Sequence, residues 1–427
     1  MVRGSWRARL KRIIPAPATR LVHNLRELSA GPPIDDVVLA SYCFVADPAE
    51  RPRLNLVVPN LTPGATFGGV TTGIEIYARA AALLARRMPI DLRLIVTDPT
   101  AETDVSPVIK ATIHHDPAAA PLETLRISGD GSAVPVRRSD IFMTYNWWST
   151  LNVSALIKAQ AEHFSIPSRP LLYLIQEYEP QLYPFSSAHM LAREAYDRCG
   201  RLWGIFNSSH LHRYFCHLGH ASERAFIFEP VISDTLRGLL PRVATSEREK
   251  QLLVYGRPGI ARNCFPALMR GLSRWTVKYP EFRDWEVISA GTHHKPIALA
   301  DGRMLRSVGK LSLDAYGALL LQSSAGISLM ASPHPSYPPL EMAHMGMQVL
   351  TNGYFGKDLS RFHSNIVSIG SIGADHLADG LAEVCRRAMT AKPDAAANPE
   401  YIREDAFAFL VELVQAIGDE LGGPEQG

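Results

Sequence analysis

Short apolar runs alternate with longer stretches of helical periodicity along the chain, and the alternation begins at Leu54. In the first half the apolar runs are LNLVVP, LRLIVTD, IFMTYNWW, LLYLIQ and LWGIFNSS, and the amphipathic stretch GIEIYARAAALLARR follows the first of them. Short strand-like runs separated by segments long enough for a helix are typical of an α/β fold with a largely parallel sheet. We therefore predict an α/β domain over residues 51–240.

The same alternation starts again after the charged segment 245–250. Its strand-like runs are LLVYGR, WEVISAG, LRSVG, AGISLMAS, VLTN and NIVSIG, and its helical stretches are FPALMRGLSRWTVKY, YGALLLQS and LEMAHMG. Two successive α/β units of similar size predict two Rossmann-like domains that face a cleft, the second over residues 250–400. Residues 1–50 form an N-terminal extension, and YIREDAFAFLVELVQAIGDEL within 401–424 predicts one amphipathic helix.

Composition excludes several classes of protein. A chain of 427 residues that is 46% hydrophobic is long enough for two cores. A formal charge of +2 gives no reason to expect binding of nucleic acid. The five cysteines are odd in number and lack C-x-x-C spacing, which favours reduced thiols in a cytoplasmic protein and no zinc site.

The N-terminal 26 residues are basic and amphipathic. They contain seven Lys or Arg residues and no acidic residue, interleaved with Trp6, Leu10, Ile13 and Ile14. No apolar run there is long enough for a signal peptide or a membrane span. We expect residues 1–30 to contact an anionic membrane peripherally; a flexible basic terminus without that role is the alternative.

An acidic, aromatic turn follows the buried run 171–175. Glu177 and Glu179 are candidate catalytic carboxylates, Tyr178 is a candidate acceptor contact, and Pro180 ends the strand. Carboxylates and aromatic rings together suit sugar recognition, although a plain acidic surface loop remains the alternative. TYNWWST also ends a strand, on which the two adjacent tryptophans would point to opposite faces, and Trp147 is a candidate sugar-stacking residue.

A glycine-rich turn lies between the first strand and the first helix. TPGATFGGVTTGIEIYARA contains Gly64, Gly68 and Gly69, and such a turn lets backbone N–H groups approach a ligand. We predict acceptor contacts at Gly68 and Gly69; a turn needed only for packing is the alternative. The spacing is not G-x-G-x-x-G, which weakens a dinucleotide-binding hypothesis.

Basic residues follow strands of the second unit. YGRPGIARN carries Arg257 and Arg262, whose guanidinium groups suit a diphosphate, while solvated surface arginines are the alternative. Lys310 follows a later strand and either adds a phosphate contact or is solvated. The loop TNGYFGKDLS either closes a nucleotide pocket or lies on the surface, and its candidates are Tyr354, Phe355, Lys357 and Asp358.

SPHPSYPPLEMAHMG predicts a proline-stiffened loop before a helix that starts near Pro339. Glu341 would then stand in the first helical turn. There it could serve a ligand or simply complement the helix dipole.

QEYEP with YPFSS, YGRPGIARN and SPHPSYPPLE together resemble the WsaF-type rhamnosyltransferases, a branch of the family-4 glycosyltransferases, over roughly residues 54–425. The resemblance implies a GT-B fold whose C-terminal helix crosses back to the first domain. It implies a retaining transfer of rhamnose from dTDP-rhamnose to a cell-surface or lipid-linked glycan. It also implies that the donor diphosphate is bound by Gly256, Arg257, Arg262 and Asn263, and that Glu341 binds the nucleotide ribose.

One position departs from the wider family, which has a second glutamate eight residues before the position of Glu341. Pro333 stands there in this chain, which fits the deoxysugar-handling branch and leaves Ser332, His334 and Ser336 near the donor sugar. The absence of Asp-x-Asp favours a metal-independent reaction with no cofactor beyond the nucleotide sugar. A non-catalytic sugar-nucleotide-binding subunit and a sugar-nucleotide epimerase on the same architecture are the alternative functions.

Overall fold

The computed structural model describes residues 39–59, 69–97, 122–390 and 398–422. Its N-terminal half contains nine described strands, which are β1 Cys43–Ala46, β2 Arg53–Val58, β3 Asp91–Val96, β4 Leu122–Arg126, β5 Ala133–Val136, β6 Asp140–Thr144, β7 Leu171–Ile175, β8 Leu202–Phe206 and β9 Arg224–Ile227. Its described helices are α1 Gly69–Ala85, α2 Trp147–Phe164, α3 Ser187–Asp197, α4 Ser209–His217 and α5 Asp234–Arg237.

Seven of these strands form one parallel sheet in the order β4-β3-β2-β6-β7-β8-β9. β2, β6, β7 and β8 are buried along their whole length, as expected for strands covered on both faces. A separate apolar cluster lies on each face of the sheet. The strand order reverses between β2 and β6, which makes the carboxyl ends of these two strands a topological switch point.

The C-terminal half has the same architecture. Its described strands are β10 Glu249–Gly256, β11 Glu286–Gly291, β12 Ile297–Ala298, β13 Met304–Gly309, β14 Ser323–Ile327, β15 Gln348–Asn352 and β16 Ile366–Ile369. Its described helices are α6 Phe265–Lys278, α7 Leu313–Gln322, α8 Tyr337–His344, α9 Ala374–Thr390, α10 Pro399–Ile402 and α11 Leu410–Gly422.

The second sheet has the order β12-β13-β11-β10-β14-β15-β16. β12 pairs antiparallel with β13, and the other pairs are parallel. The order reverses between β10 and β14, so this sheet also has a switch point at the carboxyl ends of its central strands. The predicted pair of Rossmann-like α/β domains is therefore confirmed.

The predicted single helix at the C-terminus is wrong in one respect. α10 ends at Ile402 and α11 begins at Leu410, and the segment between them is not helical. Tyr401 is buried in the core of the second domain, whereas Leu410 belongs to the core of the first. The chain crosses between domains in this interval, and a non-helical backbone covers more distance per residue than a helix does.

α11 packs on the first domain, as the resemblance implied. Leu413, Val414 and Ile417 are fully buried in the same cluster as residues of α1. Glu420 at its end accepts hydrogen bonds from Arg169 and Arg201. The last helix therefore ties the end of the chain to the first domain.

Two further observations concern the whole described chain. No helix in residues 39–59, 69–97, 122–390 or 398–422 combines the length and apolar character that a bilayer crossing requires. All five cysteines lie in these ranges, and their thiols are free.

Candidate active site

Loops at the carboxyl ends of the two sheets meet across the interface between the domains. The turn after β7 lies beside the end of β6, and its Glu177 contacts Ser332 in the loop after β14. In open α/β sheets, ligands bind outside the carboxyl ends of strands. The candidate site is therefore a cleft lined by both domains. Gly69 is the first residue of α1 at this edge, while Gly64 and Gly68 lie outside the described residues.

Glu177 is the carboxylate of the first domain that faces the second. Its Oε1 accepts hydrogen bonds from the Ser332 hydroxyl and, at 3.1 Å, from the backbone N–H of Tyr178. Burial raises the pKa of Glu177, and the Ser332 hydrogen bond and the charges of Arg262 and Lys357 oppose that rise. The carboxylate thus stands where the two domains and two cations converge.

Glu179, only two residues further on, faces the other way. A 3-10 helix over Glu179–Leu182 turns the chain, and the Glu179 side chain is 7% exposed. Its Oε2 accepts from the backbone N–H of Trp147 at 2.8 Å, and its Oε1 accepts from the Tyr173 hydroxyl at 2.7 Å. Burial raises the pKa of Glu179 to about 7. Both oxygens therefore hold the start of α2 against the end of β7.

A buried lysine fixes the loop after β14 through hydrogen bonds to its carbonyl oxygens. Lys357 is 3% exposed, and its Nζ donates to the carbonyl oxygens of Met330, Ser332 and His334 at 3.2, 2.7 and 3.3 Å. Burial lowers the pKa of Lys357 to about 8. The sequence left Lys357 in a loop that either closes a nucleotide pocket or lies on the surface, and only the fold reveals that Lys357 fixes the predicted donor-sugar loop.

Three residues predicted to contact the donor sugar lie in that loop and are buried. The Ser332 hydroxyl accepts from the backbone N–H of His334, and Nδ1 of His334 accepts from the backbone N–H of Ser336, each at 3.0 Å. Burial, with the charges of Lys357 and Arg262, lowers the pKa of His334 to about 3, so its imidazole is neutral. Ser336 has a φ of 71°, a left-handed conformation that non-glycine residues rarely adopt.

The loop predicted to bind diphosphate is joined to the same region. The backbone N–H of Ala331 donates to the carbonyl of Arg262 at 2.7 Å, and the Asn263 side chain donates to the carbonyl of Leu329 at 3.3 Å. A Cβ atom on Gly256 would meet Ser289 Oγ at 2.1 Å, so the end of β10 requires glycine. Arg257 follows directly, at the switch point of the second sheet.

Arg262 has unused hydrogen-bonding capacity. Its Nε is buried and has no partner in the part of the chain that the structure describes. A buried donor left unpaired costs free energy, and an anion is the partner that a guanidinium fork pairs with best.

Glu341 lies deeper in its helix than predicted. α8 begins at Tyr337, so Glu341 is the fifth helical residue, and the expectation of a first-turn position is wrong. This removes the helix-dipole explanation for Glu341. Burial raises the pKa of Glu341 to about 7. The phenol groups of Tyr316, Tyr337 and Tyr401 each interact electrostatically with its carboxylate.

Of the remaining predicted residues, one is exposed and two are buried. Lys310 is exposed at the end of β13, two strands away from β10. Trp147 and Tyr178 are 4% and 6% exposed and are packed into the cleft wall. The indole Nε1 of Trp147 donates to the Tyr183 hydroxyl at 2.9 Å, and Tyr178 pairs with His220 at 3.0 Å.

The sequence interpretation placed both tryptophans of TYNWWST on a strand, which is wrong. The strand ends at Thr144, and Asn146 caps a helix that starts at Trp147. A stacking role for Trp147 stays a prediction, and it requires the present packing to open.

A second contact between the domains was not predicted. The side-chain amide of Gln181 donates to the hydroxyl of Tyr354 at 2.6 Å and also to that of Tyr214. The ring of Phe355 lies 5.0 Å from that of Tyr214. The aromatic residues of YPFSS and TNGYFG indicate contact sites, but only the fold shows which residues contact each other.

The arrangement can bind a phosphorylated sugar between the domains. Arginines at a strand end supply positive charge, buried loop atoms supply fixed hydrogen-bonding groups, and Glu177 supplies a carboxylate from the opposite domain. In the described ranges, no three His, Cys, Asp or Glu side chains converge as a metal-binding group.

Comparisons with known proteins agree with this architecture. Over 288 residues the chain is 29% identical to the O-antigen biosynthesis protein RfbC of Myxococcus xanthus, which covers 67% of this chain and 21% of that protein. The chain thus spans about a fifth of this relative's length. Sucrose-phosphate synthase from Thermosynechococcus elongatus superposes with a TM-score of 0.51 at 13% identity, covering 86% of this chain and 98% of that one.

That structural likeness establishes the fold, which is GT-B. Two family models match the two halves of the chain in order. The N-terminal domain of WsaF matches residues 53–209, and the C-terminal domain of WsaF matches residues 250–382. The chain therefore belongs to the WsaF family.

Proposed function

We propose that the protein is a glycosyltransferase of polysaccharide biosynthesis that transfers a deoxyhexose, rhamnose from dTDP-rhamnose, to a glycan or lipid-linked glycan acceptor. Membership of the WsaF family supports this proposal. The observation that carries it is the convergence of Glu177, Ser332, Arg262 and Lys357 where the two domains meet. A donor bound there would be enclosed by both domains.

In this proposal the second domain binds the donor. Arg257 and Arg262, with the backbone at Gly256 and the amide of Asn263, bind the diphosphate, and Lys310 adds a long-range charge. Glu341 accepts hydrogen bonds from the nucleotide ribose. Support comes from the unpartnered Nε of Arg262 and from the position of Arg257 at the end of β10.

The first domain presents the acceptor, with Gly68, Gly69 and the wall around Trp147 and Tyr178 as its contacts. Transfer breaks the bond between the anomeric carbon and the donor phosphate oxygen and forms a bond to the acceptor oxygen on the same face. The acceptor proton goes to the departing phosphate. Domain closure excludes water from this step.

Glu177 and Glu179 have different roles in this scheme. Glu177 faces the donor side and orients the acceptor hydroxyl, whereas Glu179 positions the turn through its two hydrogen bonds. Glu177→Gln should therefore lower kcat much more than it raises KM for the donor. An equal loss in both would contradict a role for Glu177 in the chemical step.

Release of nucleoside diphosphate with and without a glycan acceptor tests the activity. Acceptor-dependent release of dTDP from dTDP-rhamnose supports the proposal. Donor binding without turnover supports a non-catalytic subunit, and an epimerised donor without release supports an epimerase. We further propose that no metal is required, so that EDTA leaves the rate unchanged; loss of activity in EDTA that Mg²⁺ restores would contradict this.

A further inference from the structure

A second cavity opens between the domains beside the candidate donor site. Its volume is about 150 Å³. The first domain contributes residues of α4 and the second contributes the loops after β14 and β15, and the lining includes His210, Arg213, Pro333, Tyr354, Phe355 and Lys357. Its loop residues Pro333, Tyr354, Phe355 and Lys357 adjoin the candidate donor site, whereas His210 and Arg213 have no role assigned above.

The lining is positive. Arg213 is exposed and makes no ion pair or hydrogen bond within the described residues, and no lining residue carries a carboxylate. Burial, followed by the charges of Arg213 and Lys357, lowers the pKa of His210. Because Arg213 has no balancing anion among the lining residues, the cavity favours a negatively charged occupant.

One histidine of the lining has a ring nitrogen without a partner. His210 is half-buried, and its Nδ1 is shielded from solvent and makes no hydrogen bond within the described part of the chain. The buried ring of His334 lies close enough to interact with it electrostatically. Unpaired buried polar atoms are uncommon in folded proteins, and a bound ligand is one of the partners that satisfies them.

Phe355, an aromatic residue of the cavity lining, has an unusual backbone conformation. Phe355 has a φ of 47° and a side chain that is 43% exposed. Its ring lies 4.3 Å from that of His217 and 5.0 Å from that of Tyr214. Left-handed backbone at a bulky residue costs free energy and recurs at ligand-binding sites. An exposed ring beside an arginine suits a sugar that carries a charged group.

We infer that this cavity binds an oxyanion, a phosphate ester or a carboxylate, carried by the sugar acceptor. Pro333 belongs to the lining and is neutral, whereas a carboxylate at this position would repel such a ligand. The identification of the ligand as the acceptor rests on the proposed function. The oxyanion itself rests on Arg213 and on the unpaired Nδ1 of His210.

Calorimetry with the full chain tests the inference. The probes are glucose 1-phosphate, methyl glucuronide and the neutral methyl glucoside. We expect at least one anionic probe to bind, to weaken as salt rises, and to lose about tenfold or more in affinity in Arg213→Met. Arg270→Met, which removes an exposed arginine from the surface of α6, should leave the affinity unchanged.

Each outcome decides a separate point. Phosphate-selective binding identifies a phosphorylated acceptor, and glucuronide-selective binding identifies an acidic sugar. Equal binding of the neutral glucoside, binding of no probe, or an unchanged affinity in Arg213→Met overturns the inference. Because Arg213 is exposed, its variant should fold, and an unchanged melting temperature verifies this. Binding of dTDP to the same samples separates failure of this cavity from failure of the donor site.

Discussion

Replacement of Glu179 by Gln tests the separation of the two carboxylates. Gln keeps the shape of the side chain but cannot ionise. Its amide oxygen can still accept from the backbone N–H of Trp147, and its amide N–H can donate to the Tyr173 hydroxyl oxygen. The substitution therefore removes a titration and preserves the contacts, so that pH dependence reports on the buried carboxyl group itself.

The magnitude follows from the raised pKa. Burial moves the pKa of Glu179 from its ordinary 4.5 to about 7 in the folded protein. The folded state then binds the proton more tightly than the unfolded state does, so this group stabilises the fold fully below pH 4.5. The contribution is lost as pH rises to about 7. A difference of about 2.5 pH units corresponds to roughly 3 kcal/mol at about 1.36 kcal/mol per unit.

The assay is urea unfolding followed by fluorescence at several pH values between 4.5 and 8. Between pH 4.5 and 8, the free energy of unfolding of wild type should fall by roughly 3 kcal/mol relative to that of Glu179→Gln. Glu412→Gln, which removes an exposed carboxylate from α11, should track wild type. Parallel stability curves for wild type and Glu179→Gln would refute the assignment of Glu179 as a buried carboxyl group that positions the turn.

Three further predictions follow from the packing and from the N-terminal sequence. Ile417→Ala should lower the free energy of unfolding by about 2–4 kcal/mol because a fully buried side chain is lost, whereas Val411→Ala on the exposed face of α11 should change it by less than about 0.5 kcal/mol in urea titrations. Ser332→Ala should weaken donor affinity and leave the melting temperature within a few degrees of wild type, because its hydroxyl donates to Glu177 across the cleft and accepts only one further hydrogen bond, from the backbone N–H of His334; a melting temperature that collapses would show a purely structural role. Deletion of residues 1–30 should abolish sedimentation with anionic vesicles, and unchanged sedimentation would contradict peripheral membrane contact.

Most of the fold could be predicted because its strands are short, buried and apolar. The runs around Leu171–Ile175 and Leu202–Phe206 coincide with β7 and β8. β4 was not predicted, because this edge strand is largely exposed and lacks an apolar run. The break in the last helix was also missed, since apolar periodicity continues through residues 403–409 while the chain crosses between domains.

The sequence predicts individual residues of the candidate site, but not which of them contact each other. Strand ends located Glu177, Glu179 and Arg262, because parallel strands deliver such residues to one edge. The sequence could not separate the two glutamates, since the 3-10 turn that points Glu179 inward has no strong signal. Nor could it pair Glu177 with Ser332, which lies 155 positions away. The N-S-S-H-L-H-R segment after β8 was a readable signal for His210 and Arg213, because it also follows a parallel strand.

Nucleotide-dependent stabilisation tests the donor site most directly. A ligand that binds only the folded state raises its melting temperature, so dTDP-rhamnose, UDP-glucose, GDP-mannose and free nucleotides can be compared on one sample. We predict a shift selective for dTDP-rhamnose and dTDP that is lost in Arg262→Met and retained in Arg270→Met. No shift with any nucleotide sugar, or a shift that persists in Arg262→Met, would contradict the donor site proposed at the carboxyl ends of β10 and β14.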